Sequence, residues 1–282
     1  MVRRSLLFTP GDRPEMLRKA PGAGADTIVF DLEDAVSPAR KDEAREAVRD
    51  CLADPEFDPG PEVCVRVNAD PSAIERDLEA LAGADSLRLD SVMLPKVTAA
   101  ADVYELADEL EGRGLDCPVL ALLENAAGVL AAPEIAGADA TDALVFGAED
   151  LSADLGATRT REGTEVLYAR ERVVLAAAAQ DCEAIDTLVT DFGDEERLCE
   201  DAAFSVQLGY DGKLAIHPAQ VEPINEAFSP DPDEVEWAER VLEAERKAEE
   251  ANRGVFEVDG EMIDAPLIAQ AERILERASV AD

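Results

Sequence analysis

Short apolar runs alternate with longer amphipathic stretches along most of this 282-residue chain. Continuous aliphatic and β-branched runs are typical of buried parallel strands, and amphipathic stretches between them are typical of covering helices. The predicted strands are Ser5–Thr9, Thr27–Leu32, Val63–Asn68, Ser91–Pro95, Val119–Glu124, Ala143–Gly147, Ala184–Val189 and Leu214–His217. Helices are predicted between the strands, for example over Ala39–Ala53, Ala73–Ala82, Ala100–Gly112, Glu165–Gln180 and Glu195–Gln207. This order predicts an α/β fold, a (β/α)₈ TIM barrel, with a doubly wound sheet as the alternative if one or two strands are wrong.

The C-terminal part of the chain departs from this alternation. A long helix is predicted over Glu234–Asn252, then a hairpin around Val258-Asp259-Gly260, then a helix over Leu267–Ala278. The segment is short and polar, so we expect it to lack a core of its own and to pack on the barrel or on a neighbouring subunit. The predicted domains are therefore a barrel over residues 1–228 and a C-terminal lid extension over residues 229–282.

The charge balance is extreme, because 64 acidic residues against 26 basic ones give a formal net charge of −38. Hydrophobic periodicity throughout the chain argues against an acidic disordered protein. An ordinary acidic globular protein rarely reaches this density, whereas at about 1 M salt charges are screened within about 3 Å. The composition therefore favours a halophilic protein, and it argues against binding nucleic acid or anionic membranes.

Cysteine use and the N-terminus indicate the compartment. The five cysteines have no C-x-x-C spacing, which favours small buried thiols in a reducing environment. The chain has no apolar run of membrane-spanning length and no signal-peptide pattern at its start. We therefore expect a cytoplasmic protein.

Two predicted strands are followed by carboxylates. Glu124 ends one strand, and Asp150 follows the next strand in the stretch Phe146–Leu151. The carboxyl ends of barrel strands meet at one rim, and Mg²⁺ is commonly held by only one or two protein carboxylates. The two side chains are candidate Mg²⁺ ligands; the alternative is that they cap the helices that follow.

A guanidinium and an acidic cluster end two other strands. Arg66 could bind a substrate carboxylate through two parallel hydrogen bonds, or donate to a thioester oxygen, and the alternative is an ordinary salt bridge. The cluster Asp31-Leu32-Glu33-Asp34 must be solvated, paired with arginine or close to a cation, because neighbouring carboxylates repel one another.

Two further features, a basic helix start and a single histidine, each have more than one interpretation. The stretch Thr9–Lys19 enters a helix and carries Arg13, Arg18 and Lys19, so it either holds phosphate or is an ordinary helix start. His217 is the single histidine, which argues against a His-rich zinc site and leaves only one possible base for a Ser-His-Asp triad. A packed strand-end residue is the simpler interpretation of His217.

Taken in order, these segments resemble the citrate lyase β-subunit-like branch of the HpcH/HpaI aldolase superfamily, which includes malyl-CoA, β-methylmalyl-CoA and citramalyl-CoA lyases. The matching segments are Arg4–Gly11, Asp31–Val36, Arg66-Val67-Asn68, Leu94-Pro95-Lys96, Phe146–Leu151, Gly212-Lys213, Ile216-His217-Pro218 and Asp259–Pro266. One departure is Leu123-Glu124-Asn125, where the family often has Ile-Glu-Thr, and it bears on the substrate side of the pocket.

The resemblance implies roles for individual residues. Glu124 and Asp150 would hold Mg²⁺, with Mn²⁺ as a possible substitute, and Arg66 would bind an oxygen of the keto acid or thioester. Asp264 would be the acid/base, supplied from a neighbouring subunit of a trimer or a dimer of trimers. The substrate would contact Arg66, Glu124, Ala148, Glu149 and Asp150, and the CoA moiety would contact Phe8, Thr9, Arg13, Arg18 and Lys19.

The same resemblance implies the chemistry. A 3-hydroxy-dicarboxyl-CoA thioester would be cleaved to an acyl-CoA and glyoxylate or pyruvate, through the enolate of the acyl-CoA. Two alternatives remain open: a thioesterase or malate-synthase-like activity on the same scaffold, and a citryl-thioester lyase subunit of a citrate lyase complex, which releases oxaloacetate.

Overall fold

Eight parallel strands close into a barrel in the computed structural model, which describes residues 2–84, 86–250 and 255–281. The strands are β1 Ser5–Pro10, β2 Thr27–Asp31, β3 Glu62–Arg66, β4 Ser91–Leu94, β5 Val119–Leu123, β6 Thr141–Phe146, β7 Glu183–Asp186 and β8 Gly212–Ala215. Each strand pairs with the next, and β8 pairs with β1. The barrel prediction is confirmed, and the doubly wound sheet is wrong.

Helices connect the strands around the outside of the barrel. They are α1 Pro14–Lys19, α2 Lys41–Leu52, α3 Pro71–Ala82, α4 Ala100–Glu111, α5 Ala126–Leu130, α6 Ala132–Ala136, α7 Ala148–Leu155, α8 Leu167–Gln180, α9 Glu195–Leu208 and α10 Val221–Phe228. Three short 3₁₀ segments are Ala20–Ala23, Pro38–Arg40 and Pro218–Gln220. None of the helices in the described ranges is long and apolar enough to cross a membrane.

The barrel interior is filled by aliphatic side chains, because inward-facing strand positions meet in layers around the axis. The cluster comprises Leu6, Val29, Cys64, Met93, Leu120, Leu122, Ala143, Val145, Ile185 and Leu214. Cys64 is fully buried there as a small hydrophobe. The few aromatic residues of the chain are therefore not needed to fill the barrel.

An ion cluster lies at the end of the barrel where the strands begin. Arg3 donates to both carboxylate oxygens of Glu62 at 2.6 and 3.1 Å and also pairs with Asp142 and Glu183. Thr27 Oγ1 and Ser91 Oγ donate to Glu62 at 2.9 and 2.5 Å. A single buried guanidinium thus joins the starts of β3, β6 and β7.

Strands β7 and β8 end earlier than the sequence predicts, at Asp186 and Ala215 rather than at Val189 and His217. The buried side chain of Gln220 explains both ends. It accepts from the backbone of Ile216 and His217 and donates to the carbonyl oxygen of Val189, so these groups leave the strand ladder.

The chain divides into two compact units, Arg3–Asn225 and the segment from Glu226 onward. The second unit contains α11 Pro232–Glu250, β9 Phe256–Val258, β10 Glu261–Ile263 and α12 Ala265–Ala281. The hairpin turns through Asp259 and Gly260, both with positive φ, as a two-residue hairpin turn requires. The predicted helix end at Asn252 lies outside the described residues.

The second unit has an apolar cluster of its own, formed by Ala238, Val241, Val258, Ile263 and Ala271. The expectation that this segment lacks a core is therefore wrong. Small apolar residues on α11 and α12 meet the buried face of the hairpin, and such a small cluster is easily overlooked in so polar a sequence. The predicted division into a catalytic domain over residues 1–228 and a lid extension over residues 229–282 stays a prediction.

Candidate active site

A cavity of about 160 Å³ lies at the carboxyl ends of the strands. Its lining residues are Phe8, Asp31, Ala35, Arg66, Leu122, Glu124, Gly147, Ala148, Glu149, Asp150, Thr187, Leu188, Leu214 and Ile216. Clefts of about 620 and 750 Å³ lie elsewhere on the barrel unit. The charged strand ends converge on the smaller cavity, so chemistry rather than volume identifies the candidate active site.

Glu124 follows β5 and is almost fully buried in this cavity. The backbone N–H of Lys96 donates to Glu124 Oε1 at 3.0 Å. Gly147 makes room for the carboxylate, because a Cβ there would lie 2.7 Å from Glu124 Cβ and 3.0 Å from Oε2. Burial raises the pKa of Glu124 to about 8, and the negative charges of Glu33 and Asp150 act in the same direction.

Asp150 lies in the first turn of α7 and is exposed to solvent. The start of this helix is attached to the residue that follows β7, because the backbone N–H of Ala148 donates to Thr187 Oγ1 at 3.0 Å. Glu149 points to another partner and accepts from Arg159 Nε at 2.8 Å. Asp150 is thus presented to the cavity from a fixed helix N-terminus.

The donor set fits a hard divalent cation. Glu124 and Asp150 supply carboxylate oxygens, which are the ligands that Mg²⁺ prefers. Their mutual repulsion, which contributes to the raised pKa of Glu124, would be removed by a cation between them. Within the described ranges no group of three or more His, Cys, Asp or Glu residues is arranged to hold a metal ion. A two-carboxylate site with water and substrate oxygens as the other ligands is compatible with that finding.

Arg66 at the end of β3 is held on three sides. Its Nε and Nη2 donate to the two carboxylate oxygens of Asp31 at 2.8 and 2.7 Å, and Nη1 lies 3.1 Å from Glu33 Oε2. The guanidinium carbon lies 4.8 Å from the ring centroid of Phe8. Burial lowers the pKa of Arg66, but hydrogen bonding to Asp31 and the nearby carboxylates raise it more, so the group stays charged.

The acidic cluster after β2 is therefore paired rather than freely solvated. Asp31 also accepts from the backbone N–H groups of Glu33 and Ala35. Lys96 Nζ donates to Glu33 Oε1 at 2.8 Å and lies 3.8 Å from Asp34. Arg66 thus makes the salt bridge considered from its sequence, and it lines the cavity as well.

Other residues named from the sequence lie apart from the cavity. Of the five residues expected to contact CoA, Phe8 lines the cavity, while Thr9, Arg13, Arg18 and Lys19 are not among its lining residues. Thr9 is buried, Arg13 lies 3.6 Å from Asp12, and Arg18 lies 3.6 Å from Asp54. Their role in phosphate binding stays a prediction.

Asp264 belongs to the C-terminal unit and is exposed. Its carbonyl oxygen accepts from Leu267 and Ile268 at 3.1 Å, and its Oδ1 accepts from the N–H of Leu267 at 3.4 Å. The residue therefore occupies the N-terminus of α12, and its proposed role as acid/base rests on the resemblance.

The sequence alone assigns no role to several residues that shape the cavity. Thr187 and Gly147 carry no charge, and Lys96 is the second residue after β4, where its positive φ of 56° directs the backbone N–H to Glu124. Asn125, where the family often has Thr, caps α5 by accepting from Gly128 at 2.8 Å. Thr also caps helices, so Asn and Thr can play the same part at this position. The difference from the family therefore affects the start of α5 and not a residue that lines the cavity.

A model of the family described as HpcH/HpaI aldolase/citrate lyase matches residues 4–218. The chain belongs to this family. The resemblance inferred from the sequence motifs is confirmed, and the family match covers the whole barrel from β1 to the end of β8.

The relatives match nearly the full chain. A citrate lyase subunit beta-like protein of Mycobacterium tuberculosis is 41% identical over 281 residues, covering 98% of this chain and 95% of the relative. The human mitochondrial citramalyl-CoA lyase is 36% identical over 294 residues, covering 98% of this chain and 86% of the relative. A crystal structure of CitE from Mycobacterium tuberculosis, in complex with magnesium, acetoacetate and coenzyme A, has a TM-score of 0.81 and 40% identity, covering 99% and 98% of the two chains.

Proposed function

We propose that this protein is a Mg²⁺-dependent carbon–carbon lyase that acts on a 3-hydroxyacyl-CoA thioester. One observation carries the proposal: the cavity of an HpcH/HpaI-type barrel brings Glu124, Asp150 and Arg66 together at the strand ends. Two carboxylates can hold a cation, and the guanidinium can bind a carboxylate or thioester oxygen. The lyase names of the relatives, and the magnesium and coenzyme A of the related crystal structure, support the same chemistry.

When bound, Mg²⁺ acts as a Lewis acid and template for the oxygens of the substrate. Glu124 and Asp150 are the residues that would hold it, while Arg66, kept rigid by Asp31, would orient an oxygen of the substrate. As the 3-hydroxyl group loses its proton to solvent water, its C–O bond becomes the carbonyl of the keto acid, the bond between C2 and C3 of the thioester breaks, and the electron pair of that bond passes to the acyl-CoA as an enolate. Arg66 stabilises the developing negative charge.

We assign protonation of that enolate to Asp264 of a neighbouring subunit, and removal of the same proton in the synthetic direction. A site shared between two subunits predicts that two inactive variants can complement each other. Asp264→Asn and Glu124→Gln homo-oligomers should each be inactive, whereas a mixed oligomer should regain part of the wild-type activity, because some sites receive both intact residues. No recovery in mixtures shown to exchange subunits would overturn the assignment.

The substrate itself is tested with a panel of malyl-, β-methylmalyl-, citramalyl- and citryl-CoA, assayed with and without Mg²⁺. Production of glyoxylate, pyruvate or oxaloacetate together with an acyl-CoA identifies the lyase and its substrate. Free CoA with intact malate would instead identify the thioesterase or malate-synthase-like alternative. Activity restricted to a carrier-bound thioester would identify a citrate lyase subunit, which the name of a 37% identical relative from Leuconostoc mesenteroides favours.

We further propose a trimer or a dimer of trimers in a cytoplasm of high salt. The oligomer would bring Asp264 of one copy to the cavity of another. Sedimentation velocity in concentrated potassium chloride measures the subunit number, and a monomer that retains full activity would exclude the shared site.

A further inference from the structure

A group of buried charges lies on the outer side of the last two barrel strands. Asp186 on β7 and Lys213 on β8 are register partners, and both are fully buried. The neighbouring residues Ile185 and Leu214 fill the barrel interior. Because side chains alternate along a strand, Asp186 and Lys213 point away from the interior, towards the surrounding helices.

Two helices supply the partners of these charges. Arg170 of α8 donates to both carboxylate oxygens of Asp186, from Nε at 3.2 Å and from Nη2, and its Nη1 donates to Asp201 of α9 at 3.3 Å. Lys213 Nζ pairs with the same two carboxylates, and Ser205 Oγ of α9 donates to Asp186 at 2.5 Å. We call Arg170, Asp186, Asp201 and Lys213 the strand-end ion cluster.

Stability alone does not account for this cluster. Burying ions costs so much desolvation that well-packed apolar side chains often stabilise a protein as much or more. The two positive and two negative charges balance, so the cluster produces only a weak field at a distance. What the cluster fixes is geometry, because four hydrogen bonds from α8, α9 and β8 converge on the carboxylate of Asp186. They hold the last residue of β7 in place.

Thr187 carries that position to the candidate active site. It directly follows Asp186, is 3% exposed and lines the cavity. Its Oγ1 accepts the backbone N–H of Ala148, the first residue of α7, at 3.0 Å. The N-cap residue of α7 is Gly147, which has no side chain to cap the helix, so Thr187 supplies an acceptor from another strand. The branched Cβ of Thr187 makes its χ1 stiff, so the hydroxyl follows the backbone of β7.

We propose that the strand-end ion cluster acts through Thr187 to position Asp150 and so sets the affinity of the candidate Mg²⁺ site, an inference that rests on the proposed function. Asp150 lies in the first turn of α7, so its carboxylate moves with the start of that helix. Lys213 and Thr187 are thus positioning residues. Supporting groups behind metal ligands commonly change metal affinity in this way.

Two substitutions at Thr187 test the last step. Val has the shape of Thr without its hydroxyl, so Thr187→Val should raise the Kd for Mg²⁺ about tenfold. Thr187→Ser keeps the acceptor and should bind Mg²⁺ as the wild type does. Calorimetric titration without substrate, in about 1 M potassium chloride, limits binding by surface carboxylates. The heat that remains in Glu124→Gln gives the background.

Lys213→Met tests the ion cluster itself. Met is uncharged and of similar length, and it leaves Asp186 paired with Arg170. We expect the Kd for Mg²⁺ to rise about fivefold, within the range that packed networks transmit. Added to Thr187→Val, it should cause no further loss, because both act through one hydrogen bond. Ser205→Ala removes one donor to Asp186 and keeps every charge, so it repeats the test if Lys213→Met does not fold.

Glu62→Gln is the matched control, because it disturbs the ion pairs of Arg3 at the opposite end of the barrel. It should lower stability and leave the Kd for Mg²⁺ unchanged. An equal loss of affinity in this variant would show that metal binding follows overall stability, which would overturn the positioning assignment.

The remaining outcomes separate the two levels of inference. If the wild-type protein does not bind Mg²⁺ above the Glu124→Gln background, the proposed function itself fails. If it binds and Thr187→Val leaves the Kd unchanged, or Thr187→Ser loses as much affinity as Thr187→Val, the positioning assignment is wrong and the proposed function stands. A double variant whose loss equals the product of the two single losses would show that Lys213 does not act through Thr187, and would overturn the assignment too.

Discussion

Asp31 and Arg66 are register partners on β2 and β3, and their side chains form a two-point ion pair at the floor of the cavity. The carboxylate also accepts from the backbone N–H groups of Glu33 and Ala35. These backbone hydrogen bonds hold the Asp31 carboxylate in place independently of Arg66. The carboxylate in turn sets the orientation of the guanidinium plane. A rigid guanidinium loses little freedom when it binds a planar substrate group.

Asp31→Asn should release Arg66 from its fixed plane. An amide offers one acceptor oxygen where the carboxylate offered two, and the positive charge of Arg66 loses its main partner. We expect kcat/KM to fall about 100-fold, because small displacements of a positioning group cost that much. Steady-state kinetics measure the effect. Asp34→Asn alters an exposed carboxylate 3.8 Å from Lys96 and serves as the control, with activity close to wild type.

Gly147→Ala should weaken metal binding. The added Cβ would meet Glu124 Cβ at 2.7 Å and Oε2 at 3.0 Å, so the carboxylate must move away from Asp150. We expect the Kd for Mg²⁺, measured by calorimetry without substrate, to rise about tenfold or more, in line with the effect of disturbing the support of a metal ligand. Gly60→Ala adds the same methyl group where nothing lies within 4 Å, and an equal loss in that variant would contradict the steric explanation.

The barrel was predictable because each strand is a continuous run of apolar residues. The carboxylates at the strand ends were predictable because acidic residues follow those apolar runs in the sequence. Lys96 and Thr187 were not predictable as site residues, since one acts through its backbone N–H and the other through a neutral hydroxyl. The ends of β7 and β8 depend on a single side chain, Gln220, which follows β8 closely but is distant in sequence from β7. Pairing between distant residues, such as Asp31 with Arg66, likewise exists only once the barrel closes.

Glu62→Gln should destabilise the protein in a pH-dependent way. Burial raises the pKa of Glu62, but Arg3, Ser91 and Thr27 lower it more, so its folded pKa lies below the ordinary value. The carboxylate therefore contributes stability at neutral pH, and this contribution is lost as the pH falls below the ordinary value near 4.5 and through the folded pKa. At pH 7 we expect the free energy of unfolding to drop by about 3 kcal/mol, as for other broken buried ion pairs.

Urea unfolding at pH 7 and at pH 4 measures both parts of that prediction. The difference between wild type and Glu62→Gln should be smaller at pH 4, because below the ordinary pKa the Glu62 carboxylate of the unfolded wild-type chain takes up a proton before that of the folded protein does. As a control, Glu109→Gln on α4 removes the carboxylate that pairs with Arg113 at the surface. This variant should change the free energy of unfolding little at either pH. A difference that stays constant across pH would show that Glu62 acts through packing rather than through its charge.

Stability should depend strongly on salt, because 64 acidic residues repel one another around a chain that carries only 26 basic ones. Potassium chloride at about 1 M shortens the screening length to about 3 Å, compared with about 10 Å at 0.1 M, which removes most of the repulsion between surface carboxylates. We expect the Tm to rise steadily between 0.1 and 2 M potassium chloride. Sucrose, which favours the compact state without screening charge, serves as the matched control. An equal rise in sucrose would show that solvent exclusion, and not screening of the net charge of −38, stabilises the fold.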